Sequence, residues 1–536
     1  MGNVDLAGYF MLPSGIIVVR GNYFETHRHF QAQAGGDNHF AQAVHELRRG
    51  APLPEPVLDL LLTRRHEESH YRHLMSTPLG LLLWRAMNVL VVDANFLIRH
   101  VAGLRPDLWP PEPPLDGWLA GGGLDIFSHT LADGGVIDPA VGPSTRYRGQ
   151  DLVRYMGFLV NEIRVIRVFL NGILERTTLK VGEFVAVANL AMEIMNRRSD
   201  LKAEAVWATR LPPESPLLPA DAFAGNEIIE AAARFEEHQL LDFVALAPGM
   251  FEHWQRTRIF GVYQPAYEHL SRELRHLGAA LAVIDVALMS PVDPAFAAVG
   301  GGTLIVEDLL PSLRLPRLIE AARDHFWPRD HTRWQGLLGR DLALAAGLAL
   351  PDRVAEVGAG AVFSGESSWD YDARQRGNTT LGRPFVLAQE DVRRAMRKRL
   401  ANPAVIVLRE DQPDPIHPVI TFFDDTALLG HAGIKEDWLV NVVLSYQKFV
   451  GDGIHLALLG QFNPAALERC ETAILRRARE AAAVVRQGPA QPPTGAVSPF
   501  ETYAAHLSEV ERRGLFGVRE IAARFVPASH LYLVGL

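Results

Sequence analysis

The chain has 536 residues, of which 48% are hydrophobic and 21% are charged, and its net charge is −9 at pH 7. This composition is typical of globular proteins and excludes a chain that is mainly disordered or fibrous. The negative net charge argues against a nucleic-acid-binding surface, because phosphate neutralisation needs a basic patch. The length allows roughly two to four compact units.

The amino-acid counts also limit the kinds of metal site. A single cysteine, Cys470, excludes an internal disulfide and a thiolate-rich zinc or iron–sulfur site. Any bound metal must then be held by His, Asp and Glu, and the chain has 20 histidines. The N-terminus lacks a basic segment followed by a long apolar core, so no signal peptide is predicted. Without an export signal or paired cysteines, we expect a cytoplasmic protein.

The first predicted elements are strands, and helices follow them. Residues 8–25 alternate between apolar runs and turn residues, which predicts one or two strands. An apolar spacing of three to four residues then predicts a helix that ends at Thr77-Pro78, because a residue before proline avoids the helical region. Leu79–Val101 is predicted as a second helix. It contains Arg85 and further polar residues, so we expect it in a protein core and not in a membrane.

Further helices dominate the rest of the pattern, so we expect a mainly α fold of the α+β class. Helices are predicted at residues 150–176, 182–198, 225–243 and 262–288, with shorter ones over 300–350. Residues 403–423 predict two strands joined by a Pro/Asp turn, and residues 464–487 predict a charged helix. We divide the chain into a region at 1–290 that carries the motif described next, an α/β region of unknown role at 291–487, and a linker and tail at 488–536.

An H-E-x-x-H motif, His66 to His70, lies in the helix that ends at Thr77. Residues i and i+4 lie one above the other on a helix face, so both imidazoles can bind one metal ion. Glu67 lies about 100° around the helix. From there it can accept a proton from a metal-bound water without being a ligand. The apolar segments on both sides favour a buried metal site over a solvated face that carries two histidines.

The segment RRHEESHYRHLMSTPLG resembles a broad group of bacterial H-E-x-x-H proteins, which are similar to zincin metallopeptidases of the gluzincin type and act on largely unknown substrates. In that group the motif is followed by a Ser/Thr-Thr-x-x-Gly turn, here Ser76 to Gly80. A helix of the form E-x-x-A-x-x-x-E comes far downstream, here Glu230 to Glu237. The metzincin pattern does not fit, because His73 and Ser76 stand where it requires Gly and His.

The resemblance implies a zincin-like helical core and a Zn²⁺ ion bound by His66 and His70. It also implies a third ligand from the helix at 225–243, whose small residues Ala231–Ala233 would allow close approach to the motif. Glu230 is the preferred third ligand. The fallback positions are Glu227 and Glu237.

Other residues near the implied site have open roles. His73 departs from the aromatic or amide residue often found three positions after the second His, and it is a neighbour of the ligands, an extra ligand or a substrate contact. Glu237 is a second candidate for a neighbouring group. A zincin transition state also needs a donor for the developing oxyanion. The candidates are Tyr263, Tyr267, His238 and His269.

We therefore predict a zinc-dependent hydrolase that acts on a peptide or small amide substrate, with Glu67 as catalytic general base. Two alternatives remain open. Two His and one carboxylate also match the Fe²⁺ site of non-haem oxygenases. The chain could instead be a non-catalytic binding or scaffold protein with a relic motif, since no chemical motif occurs after residue 290.

Overall fold

The structure is a computed structural model of the chain. It describes residues 8–12, 16–20, 55–87, 89, 150–197, 206–242, 254–255, 264–274, 276–290, 303–324, 334–348, 392, 394–399 and 420–424. This part is mostly helical with almost no sheet, so the predicted mainly α class is confirmed for it. None of its helices is both long and apolar enough to cross a lipid bilayer.

The described elements follow one another in the following order. They are β1 (Gly8–Met11), β2 (Ile16–Arg20), α1 (Glu55–Ser76), α2 (Gln150–Leu174), α3 (Val181–Arg197), β3 (Trp207–Ala208), α4 (Gly225–Asp242), α5 (Gln264–Leu274), α6 (Leu277–Leu288), β4 (Leu304–Ile305), α7 (Val306–Leu309), α8 (Pro311–Asp324), α9 (Trp334–Ala345) and β5 (Ile420–Asp424). Residues 78–87 and 394–399 are also helical.

A small sheet covers one side of α1. The one or two strands predicted in residues 8–25 are two in the structure, and β1 and β2 pair antiparallel. Strand β5 pairs with β2 in parallel, with Ile16 opposite Ile420. Both β1 and β2 contact α1, where the rings of Phe10 and Tyr71 meet edge to face with centroids 5.6 Å apart. The sheet therefore packs directly against α1.

The end of α1 agrees with the predicted stop at Thr77-Pro78. Ser76 Oγ donates to the carbonyl of Arg72 at 2.5 Å, and Thr77 Oγ1 donates to the carbonyl of His73 at 2.5 Å. These hydroxyls satisfy carbonyls at the end of the helix, where backbone partners are lacking. The predicted second helix is confirmed over residues 79–87, which are buried except for a half-buried residue 87, and at the buried Val89. Residue 88 and residues 90–101 lie outside the described residues.

Helix α4 occupies the centre of the described part. It packs against α1, α2, α5, α6 and α8. The alanines Ala231, Ala232 and Ala233 are completely buried in these contacts. Small side chains let neighbouring helices approach closely, so α4 can bring its carboxylates up to the motif on α1.

The single helix predicted at 262–288 is wrong, because the chain breaks into α5 and α6. His276 adopts an extended conformation, with φ −149° and ψ 123°, and its Nδ1 accepts a hydrogen bond from the backbone N–H of Ala279 at 3.4 Å. This is N-cap geometry, which satisfies a free donor in the first turn of α6. No proline or Asx residue marks the break in the sequence, and histidine is not among the preferred caps.

Elements on both sides of residue 290 are in contact. Helices α8 and α9 pack against α6, and β5 completes the N-terminal sheet. The proposed division at residues 290 and 487 stays a prediction. The first strand predicted in 403–423, the helix at 464–487, Cys470 and the linker all lie outside the described residues.

Candidate metal centre

The two histidines of the motif and one carboxylate of α4 meet at a single point. On α1, the spacing i, i+4 places the rings of His66 and His70 edge to face, with their Nε2 atoms 3.0 Å apart. Glu230 Oε2 lies 3.0 Å from Nε2 of His66 and 3.4 Å from Nε2 of His70. The structure thus brings the preferred third ligand to both predicted histidine ligands.

These three atoms form a triangle of the size that a tetrahedral zinc site needs. Zinc bonds to imidazole nitrogen and carboxylate oxygen measure about 2.0–2.1 Å, so neighbouring ligand atoms lie about 3.3–3.4 Å apart. The separations of 3.0, 3.0 and 3.4 Å are within a few tenths of an ångström of that value. The donor set, two imidazoles and one carboxylate, also fits a catalytic zinc site that keeps its fourth position open.

The other ring nitrogen of His66 has a carboxylate partner that bears on the tautomer of this histidine. Its Nδ1 lies 2.9 Å from Oε1 of Glu237. An ionised carboxylate only accepts hydrogen bonds, so Nδ1 is the donor in this contact. In the tautomer with a single proton on Nδ1, Nε2 is the nitrogen that can bind a metal. Metal-binding histidines are commonly oriented by such a carboxylate. Glu237 therefore stabilises the tautomer of His66 that can bind a metal.

Glu237 is itself held rigidly. Arg234 Nη1 donates to its two oxygens at 2.5 and 2.7 Å, and Trp254 Nε1 donates to Oε2 at 2.7 Å. The carboxylate is completely buried. Burial of a charge is tolerated when it is paired and hydrogen-bonded, and these donors supply that compensation.

Glu67 lies next to the triangle. Its side chain is buried, and one ligand atom from each of His66, Glu67 and His70 lies within 4.8 Å of the others. Glu67 Oε2 is buried without a hydrogen-bond partner within the described part. Burial raises the pKa of Glu67 to about 8, with His70 opposing and Glu230 adding to the shift. Without a metal, a carboxyl group with this pKa keeps its proton at neutral pH. A cation bound beside it would lower the pKa of Glu67 and favour the carboxylate that can accept a proton.

Glu230 has a lowered pKa and a partly exposed side chain. Burial opposes its ionisation, but His70 and His66 together lower the pKa of Glu230 below its usual range. Its side chain is 23% exposed, whereas the side chain of His66 is 7% exposed. Of the three side chains in the triangle, Glu230 is therefore the most exposed.

Several other predicted residues have partners outside the triangle. Glu227 accepts from Ala224 N at 2.7 Å and pairs with Arg176 at 3.2 Å, at the start of α4. Tyr267 and His238 share a hydrogen bond of 2.7 Å between the hydroxyl and Nδ1. The ring of His269 packs on Phe223, with centroids 5.2 Å apart. Tyr263 lies outside the described residues.

His73 is completely buried one turn beyond His70. Burial, with Arg72 and Arg399 nearby, lowers the pKa of His73 well below its usual value. Its nearest carboxylate is Glu236, with Nε2 to Oε1 at 3.5 Å. His73 therefore faces a second buried cluster around Glu236.

Sequence reasoning missed three residues of this region: Arg234, Glu236 and Trp254. The spacing Glu230, Arg234, Glu237 was a usable signal for Arg234, because it puts all three on one helical face. Trp254 comes after α4 in the chain, and its contact with Glu237 depends on tertiary packing, so no local sequence pattern predicts it.

The chain matches no protein-family model, no characterised protein and no solved structure in the comparisons made. The chemistry of the centre therefore follows from its own residues.

Proposed function

We propose that the protein is a zinc-dependent hydrolase of zincin type that cleaves peptide or amide bonds. The observation that supports this function is the arrangement of His66, His70 and Glu230 in a triangle of tetrahedral size, with a partnerless oxygen of Glu67 beside it. His66, His70 and Glu230 would hold the ion, and the resemblance of the motif to gluzincin-like proteins adds to this reading.

Some residues of the centre would bind the metal or orient its ligands, and Glu67 would transfer a proton. A bound zinc ion supplies a Lewis acid and lowers the pKa of a bound water. Glu67 would be the group that holds and transfers a proton, through the Oε2 atom that has no hydrogen-bond partner in the described part of the chain. Glu237 would orient the ring of His66 through the contact at Nδ1.

Glu67 also favours a hydrolase over an oxygenase with the same ligands. The Fe²⁺ site of an oxygenase needs two His and one carboxylate but no general base. A buried polar oxygen without a hydrogen-bond partner is costly, and a role in proton transfer would account for the position of Glu67 beside the two histidines.

Metal analysis of protein purified without added metal tests the centre. We expect close to one equivalent of zinc, and chelation should lower the melting temperature because a metal that binds only the folded state stabilises it. One equivalent of iron would favour the oxygenase. Protein that binds neither metal, with no change in melting temperature on chelation, would leave only the non-catalytic reading.

Glu67→Gln tests the reaction. We expect hydrolysis of a mixed peptide library, followed by mass spectrometry, to fall by about 10²–10⁴-fold, the usual contribution of a general base. Zinc content should stay at one equivalent, because Glu67 is not a ligand. Glu68→Gln is the matched control, since Glu68 pairs with Arg64 at 2.7 Å away from the ligands. Activity that survives in Glu67→Gln contradicts the general-base role.

A further inference from the structure

A second buried cluster joins the same two helices beside the metal centre. The carboxylate of Glu236 on α4 has a side-chain exposure of only 1% and lies among four polar side chains of α1. Ser69 Oγ donates to Oε1 at 2.9 Å, Arg65 Nε lies 3.3 Å from Oε2, Arg72 Nη2 contacts Oε2, and His73 Nε2 lies 3.5 Å from Oε1.

The cluster and the metal centre occupy neighbouring stripes of each helix. On α1, Arg65 and Ser69 each come one position before a candidate ligand, His66 or His70. Arg72 comes two positions after His70. On α4, Glu230 and Glu237 are seven residues apart and share a face, while Glu236 lies about 100° from Glu237. The contacts around Glu236 and the contacts at the metal centre therefore form together in a single register of α1 against α4.

That register decides whether the three ligands converge. A slip of one residue along a helix moves a side chain by about 1.5 Å, whereas a functional constellation tolerates about 0.5 Å. Glu230 is 164 positions away from His66 along the chain, so their separation is set by tertiary packing, in which α1 and α4 contact each other directly.

We propose that Glu236 is a positioning residue, which fixes the register of α1 on α4 and thereby the distance of Glu230 from His66 and His70. The inference rests on the proposed metal centre. A hydrogen bond from Ser69 and ion pairs with Arg65 and Arg72, all on one helical face, hold Glu236 more firmly than a single ion pair would. Loss of its charge would remove a counter-charge from the completely buried guanidinium of Arg72, which is unfavourable for a buried ion pair.

Glu236→Gln keeps the shape of the side chain and removes its charge. We expect zinc affinity, measured by competition with a chromophoric chelator, to fall by about 10–100-fold, as for other groups that orient ligands. The visible spectrum of the cobalt-substituted protein should change as well, because it reports ligand geometry. Glu227→Gln is the matched control, since this α4 carboxylate pairs with Arg176 of the segment after α2. Its zinc affinity should stay close to that of the wild type, because Glu227 contacts neither motif histidine in the described part of the chain.

Unchanged affinity and an unchanged cobalt spectrum in Glu236→Gln would overturn the proposal, even if stability falls. If that variant does not fold, Ser69→Ala removes one donor to Glu236 without leaving a charge unpaired, and weaker zinc binding is again expected. Ser69→Ala with wild-type affinity would then overturn the proposal.

A crystal structure of metal-free Glu236→Gln separates this inference from the proposed function. We expect Glu230 Oε2 to move away from Nε2 of His66, beyond the present 3.0 Å. An unchanged separation contradicts the positioning role whether or not the wild type binds zinc. If the wild type binds no zinc, the proposed metal centre is wrong. A changed separation of Glu230 Oε2 and His66 Nε2 in Glu236→Gln would still support the positioning role of Glu236.

Discussion

Three carboxylates of α4, each a candidate third ligand by sequence, have different partners in the folded chain. Glu227 caps the helix and pairs with Arg176, and Glu237 accepts from Nδ1 of His66. Glu230 alone among the three contacts Nε2 of both motif histidines within the described residues. The same residue type thus serves as a cap, an orienting group and a candidate ligand because of its position on the helix.

Replacing Glu230 by Ala should weaken zinc binding by at least about 100-fold, because loss of a ligand exceeds the 10–100-fold cost of changing an orienting partner. Isothermal titration or chelator competition measures this. Glu237→Gln, which keeps one hydrogen-bond acceptor for Nδ1 of His66, should have a smaller effect. If Glu237→Gln proves the more damaging of the two, the assignment of the third ligand is wrong.

At the level of elements, the turn after α1 depends on a glycine. The backbone N–H of Gly80 donates to Thr77 Oγ1 at 3.1 Å, which links the end of α1 to the helical segment 78–87. A Cβ atom at position 80 would overlap the carbonyl group of Leu74. This close approach of two backbones explains why the Ser76 to Gly80 turn ends in a glycine.

Gly80→Ala should lower the free energy of unfolding by roughly 1–3 kcal/mol, the cost of forcing atoms into a packed site. Chemical denaturation measures the change. Gly182→Ala in α3 is the control, because its Cβ would lie 3.8 Å from the nearest atom, the carbonyl oxygen of Pro213. That variant should be as stable as wild type or more stable, since alanine favours helices. Equal effects of the two substitutions would contradict the close-approach explanation.

At the scale of the whole molecule, segments late in the chain hold the motif helix. Arg394 Nη2 donates to the hydroxyl of Tyr71 at 3.1 Å. Arg399 Nη2 donates to both oxygens of Asp285 at 2.6 Å, and its Nη1 lies 3.5 Å from Ser76 Oγ. Residues after 290 therefore contribute to the support of α1, although their sequence contains no chemical motif.

Arg399→Met should cost roughly 3–5 kcal/mol of stability, because it leaves the buried carboxylate of Asp285 unpaired. Thermal and denaturant unfolding measure it. Lys180→Met is the control, since Lys180 and Glu214 form an exposed pair worth at most about 1 kcal/mol. The double variant Arg399→Met with Asp285→Leu should recover much of the loss. A loss as small as that of the control would show that this ion pair does not hold the segment.

Short-range sequence patterns correctly predicted the helix and strands whose positions depend on local residue spacing. The helical period and the proline at position 78 predicted α1 and its end, and the alternation near the N-terminus predicted β1 and β2. The break at His276 was missed, because a histidine becomes a cap only when its ring finds the backbone of Ala279.

The sequence by itself determined which residues share a face of α1: His66, Glu67 and His70 come together because the helix repeats every 3.6 residues. It also limited any metal ligands to nitrogen and oxygen, since the chain has one cysteine. Only the tertiary structure decided that Glu230 meets both histidines, that Glu237 orients His66 and that Glu236 joins the two helices. Those contacts join residues more than 160 positions apart, and helix packing, which no local spacing encodes, sets their distances.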